Sequence, residues 1–492
     1  MMSAYDDLMS FQRTTEALSQ VAGRLGWDQE TMMPQGAAPQ RAEEMGAMES
    51  VLHARRTDPQ VGEWLAAVDR SALDEVGQAN LRHIQRSYTR NTKIPADLAR
   101  KLAEVTSAAQ GIWAEARANE SVADFLPILK EVVSLRQQEA AALASGGDLY
   151  DALLEDYEPE SSAVDIAAMF DDMRPRLVAL RSAILDKPAP RGLDGHYDPA
   201  LQMAVSQKLA EAFGYRLTNG RIDKAVHPFS SGSGLDVRIT TRTSDGDPFN
   251  CFYSTIHEVG HAAYEQNIHA THLLTPLGRG VSMGVHESQS RIYENQLGRS
   301  RAFTGYLYGL MRDTFGDFGI ADEDTFYKAV NRVTNGYIRT EADEVQYNLH
   351  IMLRFDLERS LIAGDLSVDD LEAAWNDRFL ADFGYAVDKP SNGCLQDVHW
   401  SVGFLGYFPT YSLGNVYAGC LYEALHADVG TLDVDLSNGK TATATEWLRT
   451  NVQTFGGLRT PVETITHASD RRPSAAPLLD YLERKFGDLY DL

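Results

Sequence analysis

Cysteine is scarce in this chain of 492 residues, which has only Cys251, Cys394 and Cys420. They are too few and too scattered for a disulfide framework, and no two form a CxxC pair, so neither a stapled secreted fold nor a cysteine metal site is expected. Cys251 lies six residues before His257 and reads as a buried free thiol rather than a ligand or nucleophile. Basic charge is also in deficit: 45 Lys plus Arg against 70 Asp plus Glu leave a formal charge of −25. A field of that sign repels nucleic acid and anionic membranes, so neither is expected as a partner. No run approaches the roughly 18 apolar residues of a membrane span. The opening MMSAYDDLMSFQRTTEALSQ lacks the basic and apolar regions of a secretory signal. A cytoplasmic location fits these absences. Internal repeats and low-complexity tracts are missing as well.

What is present is an ordinary globular composition, 43% hydrophobic and 23% charged. The length exceeds that at which a single core usually stops growing, so the chain is read as one catalytic unit over residues 1–492, either a single multilayered body or two subdomains. Up to about residue 185, apolar residues recur at helical spacing among Ala, Leu, Glu, Gln and Arg, as in PADLARKLAEV from Pro95 to Val105. KPAPRGLDGHYDP, from Lys187 to Pro199, breaks any helix and marks a loop or a subdomain seam near residues 186–200. Helix is expected again at Ala200 to Phe213. Asn219 to Phe249 is punctuated by Gly, Ser, Asp and Pro around an alternating β-branched run at Val237 to Thr243, which fits a small sheet or hairpin. Helical patterns follow to about Phe383, then a loop-rich stretch from Gly393 to Asn415, then a tail from Asp428 that is helical apart from the turn signal SNGK. The expected fold class is mainly α with a minor β element.

That β element stands just before STIHEVGHAAYEQ, Ser254 to Gln266, which holds His257, Glu258 and His261 in the order H-E-x-x-H. On a helix, residues four apart share a face, so both imidazoles point the same way as two zinc ligands would. The pattern is short enough to arise by accident. Apolar Ile256, Val259, Ala262 and Ala263 around it suit a helix buried in protein. A catalytic zinc needs a third protein ligand and an open position for water. The form H-E-x-x-H-x-x-G-x-x-H is excluded, because Tyr264 and Asn267 stand where its glycine and third histidine belong. His269 and His272, eight and eleven residues past His261, fall in a segment leaving the helix. The preferred third ligand is Glu287 in HESQSRIYENQ, on a second helix that begins after GRGVSMG. His286 is its rival, and Glu294 reads as a solvated or supporting carboxylate. Glu258, one residue from a ligand, is placed to face the bound water, take its proton during attack and pass it to a leaving amine. The chemistry implied is hydrolysis of an amide bond.

Seven segments in chain order then carry a resemblance: WDQETMMP from Trp27, HPF from His227, DVRIT from Asp236, HEVGH from His257, HESQ from His286, IRTEAD from Ile338 and GCLQDVHW from Gly393. Together they resemble the metallocarboxypeptidases of the carboxypeptidase Taq type, over residues 27 to 400. The resemblance implies that His257, His261 and Glu287 bind one zinc ion, which Co2+ or Mn2+ could replace, and that Glu258 is the general base. It implies a large helical gluzincin-type body with a deep active-site groove and a homodimer. The expected activity is release of single amino acids from peptide C-termini, with broad side-chain tolerance and poor acceptance of terminal proline.

A carboxypeptidase must also hold a free carboxylate, for which an arginine fork is well shaped. Arg339 of IRTEAD is the first choice, with His227 of HPF as a helper. Arg238 and Arg354 are alternatives, although arginines flanked by acidic residues more often serve as structural ion-pair partners. Donors to the oxyanion are sought in His399, Tyr407 and Tyr411, where aromatic core packing is the competing reading. Asp397 is a candidate to orient a histidine, and Trp27 and Asp28 read as structural. The rival functions are an endo- or dipeptidyl-acting oligopeptidase with the same His2Glu site, and a non-catalytic binding protein. The complete set His257, Glu258, His261 and Glu287 argues against the latter.

Overall fold

The computed structural model describes residues 3–492 and contains twenty α-helices and one three-stranded sheet among them. The chain is mainly α, as expected. Among the described residues, no helix is long and apolar enough to cross a membrane. The chain divides into two compact units, Met1–Thr92 with Pro190–Asn331 and Tyr417–Pro473, and Lys93–Ala189 with Arg332–Val416 and Ser474–Leu492. The passage at Ala189–Pro190 falls within KPAPRGLDGHYDP. Those at Thr92–Lys93 and Val416–Tyr417 lie inside helices, where no shift in composition marks them.

In the first unit, β1 (Ile222–Lys224) pairs parallel and β2 (Ser230–Ser233) antiparallel with the central β3 (Asp236–Thr241). Strand β3 stops two residues short of Thr243. Val237 and Ile239 are fully buried, and the Thr241 hydroxyl donates 3.0 Å to the Cys251 carbonyl, tying the strand to the helix that follows. That helix, α1 (Pro248–Asn267), starts where the Asp247 carboxylate accepts from the Phe249 N–H and Pro248 takes the first turn, which lacks hydrogen-bond partners for its N–H groups in any case. Phe252, Ile256, Val259, Ala262 and Tyr264 have no exposed surface, so α1 is an interior helix with apolar contacts around most of its girth. The next helix, α2 (Met283–Arg291), is capped by Ser282, whose hydroxyl accepts from the Val285 N–H at 3.0 Å. The two cross closely at Gly260. A Cβ on that residue would stand 2.5 Å from both the Gln289 carbonyl oxygen and the Ser290 Cα.

The second unit pairs the helices Ala96–Ala118 and Val122–Ala144, with Val105 and Ala109 packed against Val132 and Leu135. Its interior helix, α3 (Gln346–Ala363), is preceded by Asp343, which accepts from the Val345 and Gln346 N–H groups, and is stopped by Gly364 at φ +82°. The loop-rich stretch is shorter than expected, because α4 (Pro409–Asp428) begins inside it. Tyr411, Ser412 and Asn415 are therefore helical. Their polar character suggested a loop, but Ser412 and Asn415 both donate to the Asn348 side-chain oxygen, at 3.0 and 3.1 Å. Cys251, Cys394 and Cys420 are buried thiols, and burial raises the pKa of the Cys251 thiol.

Gly260→Ala is expected to cost about 1–3 kcal/mol by forcing the two backbones apart. Thermal unfolding of the metal-free protein measures it, and an unchanged melting temperature would disprove the constraint.

Candidate active site

Helix α1 places His257 and His261 one turn apart, with ring centroids 4.9 Å apart, and α2 brings Glu287 to them. One donor atom from each residue lies within 4.8 Å of the others. Nε2 of His261 is 3.4 Å and Nε2 of His257 is 3.8 Å from Glu287 Oε2. Donors about 2.0–2.2 Å from a tetrahedral zinc sit about 3.3–3.6 Å from one another. The observed spacing matches that or exceeds it slightly, and two imidazoles with one carboxylate are a fitting donor set.

Each donor is held from behind. Nδ1 of His257 is 2.9 Å from Glu294 Oε2, leaving Nε2 to face Glu287. Arg291 Nε donates to Glu287 Oε1 at 2.7 Å, and the Ser290 hydroxyl donates to Oε2 at 3.2 Å. Glu294 also accepts from Arg299 at 3.2 Å. It is not the solvated carboxylate that one reading allowed. The seven residues Ile292–Gly298 form a π-helix, whose wider turn is the path by which Glu294 reaches His257.

Burial dominates the electrostatics here. It would raise the Glu287 and Glu294 carboxyls, but Arg291 and the histidines outweigh it. Glu287 is held well below the usual carboxylate range and Glu294 is brought down to about 2. Glu258, 6% exposed, has no such cation, so burial, with the charges of Glu287 and Glu294, pushes it up to about 7 against the opposing effect of His257. A divalent cation beside it would draw it down again. Burial holds His261 near 4, so its imidazole is neutral and its lone pair available.

Among the rivals for third ligand, His286 has both ring nitrogens engaged, Nδ1 with His261 at 2.6 Å and Nε2 with Glu265 at 3.0 Å. His269 lies past the end of α1, where its side chain caps the short turn at Ala270–His272.

The second unit contains a different cluster. Asp397 Oδ1 accepts from Arg339 Nε and Nη2, at 3.1 and 2.9 Å, and its Oδ2 accepts from Arg354 Nε at 2.7 Å. Burial would raise the Asp397 carboxyl, but the two guanidiniums hold it far below the usual range. Two cations around one anion leave a net charge of +1. Arg339 Nη1 donates to the Tyr347 hydroxyl at 3.1 Å, and its guanidinium lies 4.9 Å from the Tyr411 ring centroid. His399 Nε2 is 3.3 Å from the Tyr411 hydroxyl, and its ring stacks on Tyr407 at 5.7 Å. Burial and the neighbouring arginines hold His399 near 4, against the pull of Asp397.

Arg339, His399, Tyr407 and Tyr411 therefore come together. Arg354 joins them from behind: it is fully buried and also donates to the His350 carbonyl, so it holds Asp397 rather than presenting a free fork. Arg238 belongs to β3 of the first unit, where Asp236 accepts from it at 2.8 and 3.0 Å and the Trp27 ring covers it at 4.4 Å. That pairing accounts for Trp27 as a packing partner. His227 is exposed beside the same sheet. Sequence reasoning missed Arg291, Glu265, Tyr347 and Glu358. Only Arg291 had a legible signal, standing four residues after Glu287 on a helix.

Glu358 of α3 secures the segment bearing His399. It accepts from the Trp400 indole at 2.8 Å, the Gly406 N–H at 3.1 Å and the Tyr150 hydroxyl at 2.7 Å.

An interior HExxH helix with a carboxylate from a second helix defines a helical metallohydrolase. The family model of the carboxypeptidase Taq (M32) metallopeptidases matches residues 7–486, and the chain belongs to that family. It is similar over 99% of both chains, at 40% identity, to thermostable carboxypeptidase 1 of Thermus thermophilus. Carboxypeptidase 1 of Bacillus subtilis is 31% identical over 96% of both. The crystal structure of the M32 carboxypeptidase from Deinococcus radiodurans R1 superposes with a TM-score of 0.97 at 37% identity, covering 99% of this chain and 100% of that one. The protein is thus a metal-dependent carboxypeptidase acting on peptides.

Burial pushes the Glu358 carboxyl from its ordinary 4.5 up to about 7. The folded state then holds the proton more tightly than the unfolded chain, so this stabilisation is complete below about pH 4.5 and is lost as pH rises through about 7. Between about pH 5 and pH 8 the parent should lose about 1–3 kcal/mol relative to Glu358→Gln. Urea unfolding of both at each pH measures it, and parallel pH dependences would refute the linkage.

Proposed function

We propose that the metal is zinc and that the enzyme removes single residues from peptide C-termini with broad side-chain tolerance. The observation that carries the reading is the convergence of His257, His261 and Glu287 beside the buried Glu258. Zinc held by Nε2 of both histidines and by the Glu287 carboxylate would polarise the scissile carbonyl and acidify the attacking water. Cobalt or manganese suits the same donors, so the metal carried in the cell follows supply as well as affinity. Glu258 accepts the proton of the attacking water and returns it to the leaving amine. Glu294 keeps the His257 ring oriented throughout.

Arg339 receives the free carboxylate of the substrate. Its support is the surplus positive charge where Arg339 and Arg354 share the single carboxylate of Asp397. His399 and Tyr411 donate to the developing oxyanion, and Tyr407 lines the substrate's path, with His227 as a helper at the terminus. A homodimer and a cytoplasmic setting complete the reading, the first from resemblance and the second from acidity and cysteine usage.

Mass spectrometry of an N-terminally blocked peptide ladder tests the activity. Stepwise loss of single C-terminal residues is expected, halted by C-terminal amidation. Internal cuts that survive amidation would assign an oligopeptidase instead. Glu258→Gln should lower kcat by about 10²–10⁴ with metal content unchanged. Arg339→Lys should raise KM for free-acid peptides about 10–100-fold by removing charge-assisted bonds. An unchanged KM would remove Arg339 from that role.

A further inference from the structure

His286 is gripped on two sides, by a metal-site histidine and by a carboxylate that the proposed reaction does not use. Its Nε2 lies 3.0 Å from Glu265 Oε1 and its Nδ1 lies 2.6 Å from Nδ1 of His261. Two ring nitrogens so close share one proton, one donating and the other accepting. Glu265 decides which. A carboxylate oxygen accepts, so in the neutral imidazole the His286 proton sits on Nε2 and its Nδ1 carries a lone pair. The proton between the rings then belongs to Nδ1 of His261. That leaves a lone pair on Nε2 of His261, the nitrogen facing Glu287 at 3.4 Å. The reverse assignment would place the His261 proton on Nε2, where it would block a metal, and turn a lone pair of His286 towards the Glu265 carboxylate.

The surroundings are built for the first arrangement. Glu265, 6% exposed, is fixed by the Gly280 N–H, which donates to its Oε1 at 2.9 Å. Gly280 also makes room for the ring: a Cβ there would stand 2.6 Å from His286 Cδ2 and 2.8 Å from the Tyr264 ring. The His286 and His261 rings lie 4.8 Å apart at 35°.

We infer that Glu265 and His286 form a positioning relay that fixes the tautomer of His261, making its Nε2 the metal donor, as Glu294 does directly for His257. The inference rests on His257, His261 and Glu287 being the metal set. Zinc affinity by chelator competition tests it on the full-length protein. His286→Ala should bind zinc about 10–100-fold more weakly, with the unfolding of the metal-free form unchanged. His286→Gln, whose amide oxygen can accept from His261 Nδ1, should recover most of the loss. Gly280→Ala, which displaces the ring without deleting it, should fall between. Zinc affinity of folded His286→Ala within about twofold of the parent overturns the relay.

Nitrogen-15 histidine spectra of the zinc-loaded parent provide a test that needs no variant to fold. They should show the proton of His261 on Nδ1 and that of His286 on Nε2; the opposite pattern overturns the relay. If the parent itself binds no zinc, the ligand set falls and the relay with it. If the parent binds zinc and His286→Ala binds equally well, only the relay falls.

Discussion

The contact between α1 and α2 at Gly260 is the constraint on which the metal centre depends. Neither helix carries a full donor set, so the site exists only where the Gln289 and Ser290 backbone comes within reach of the HExxH turn. A glycine inside a helix costs about 1 kcal/mol relative to alanine. Here that cost permits an approach that a side chain would forbid, and the apolar burial of α1 holds it in place.

Closeness creates an electrostatic problem that the surrounding residues answer. Glu258, Glu265, Glu287 and Glu294 are gathered near the two imidazoles, while Arg291 and Arg299 provide cations. The remaining negative excess suits a divalent cation, which would neutralise it without another buried side chain. The second cluster is balanced in the opposite sense, with two arginines on one aspartate. Buried charge is thus used with opposite sign in the two units.

Much of this was legible in the chain. The spacing of His257 and His261 implied a shared helix face, and the fresh helical pattern after GRGVSMG pointed to Glu287. Both inferences use periodicity, which survives in a one-dimensional string. Glu294 was harder, because a π-helical turn changes the phase of the residues after Arg291 and no residue type announces it. The Asp397 clamp was only half visible. IRTEAD and QDVHW each advertised a charge, but Asp397 and Arg339 are 58 residues apart and their pairing is a tertiary fact. The start of α4 at Pro409 was hidden by Ser and Asn residues that read as loop formers until their bonds to Asn348 are known.

The three cysteines acquire a use from their placement. Cys251 and Cys420 are sealed in the first unit and Cys394 in the second, and none has more than 5% of its surface exposed. In the folded state they are silent towards thiol reagents, so labelling requires an opening of the structure around them. Each is a natural clock for local unfolding, and because they are divided between the units, the opening rate of each can be timed separately in the native chain without introducing a single probe.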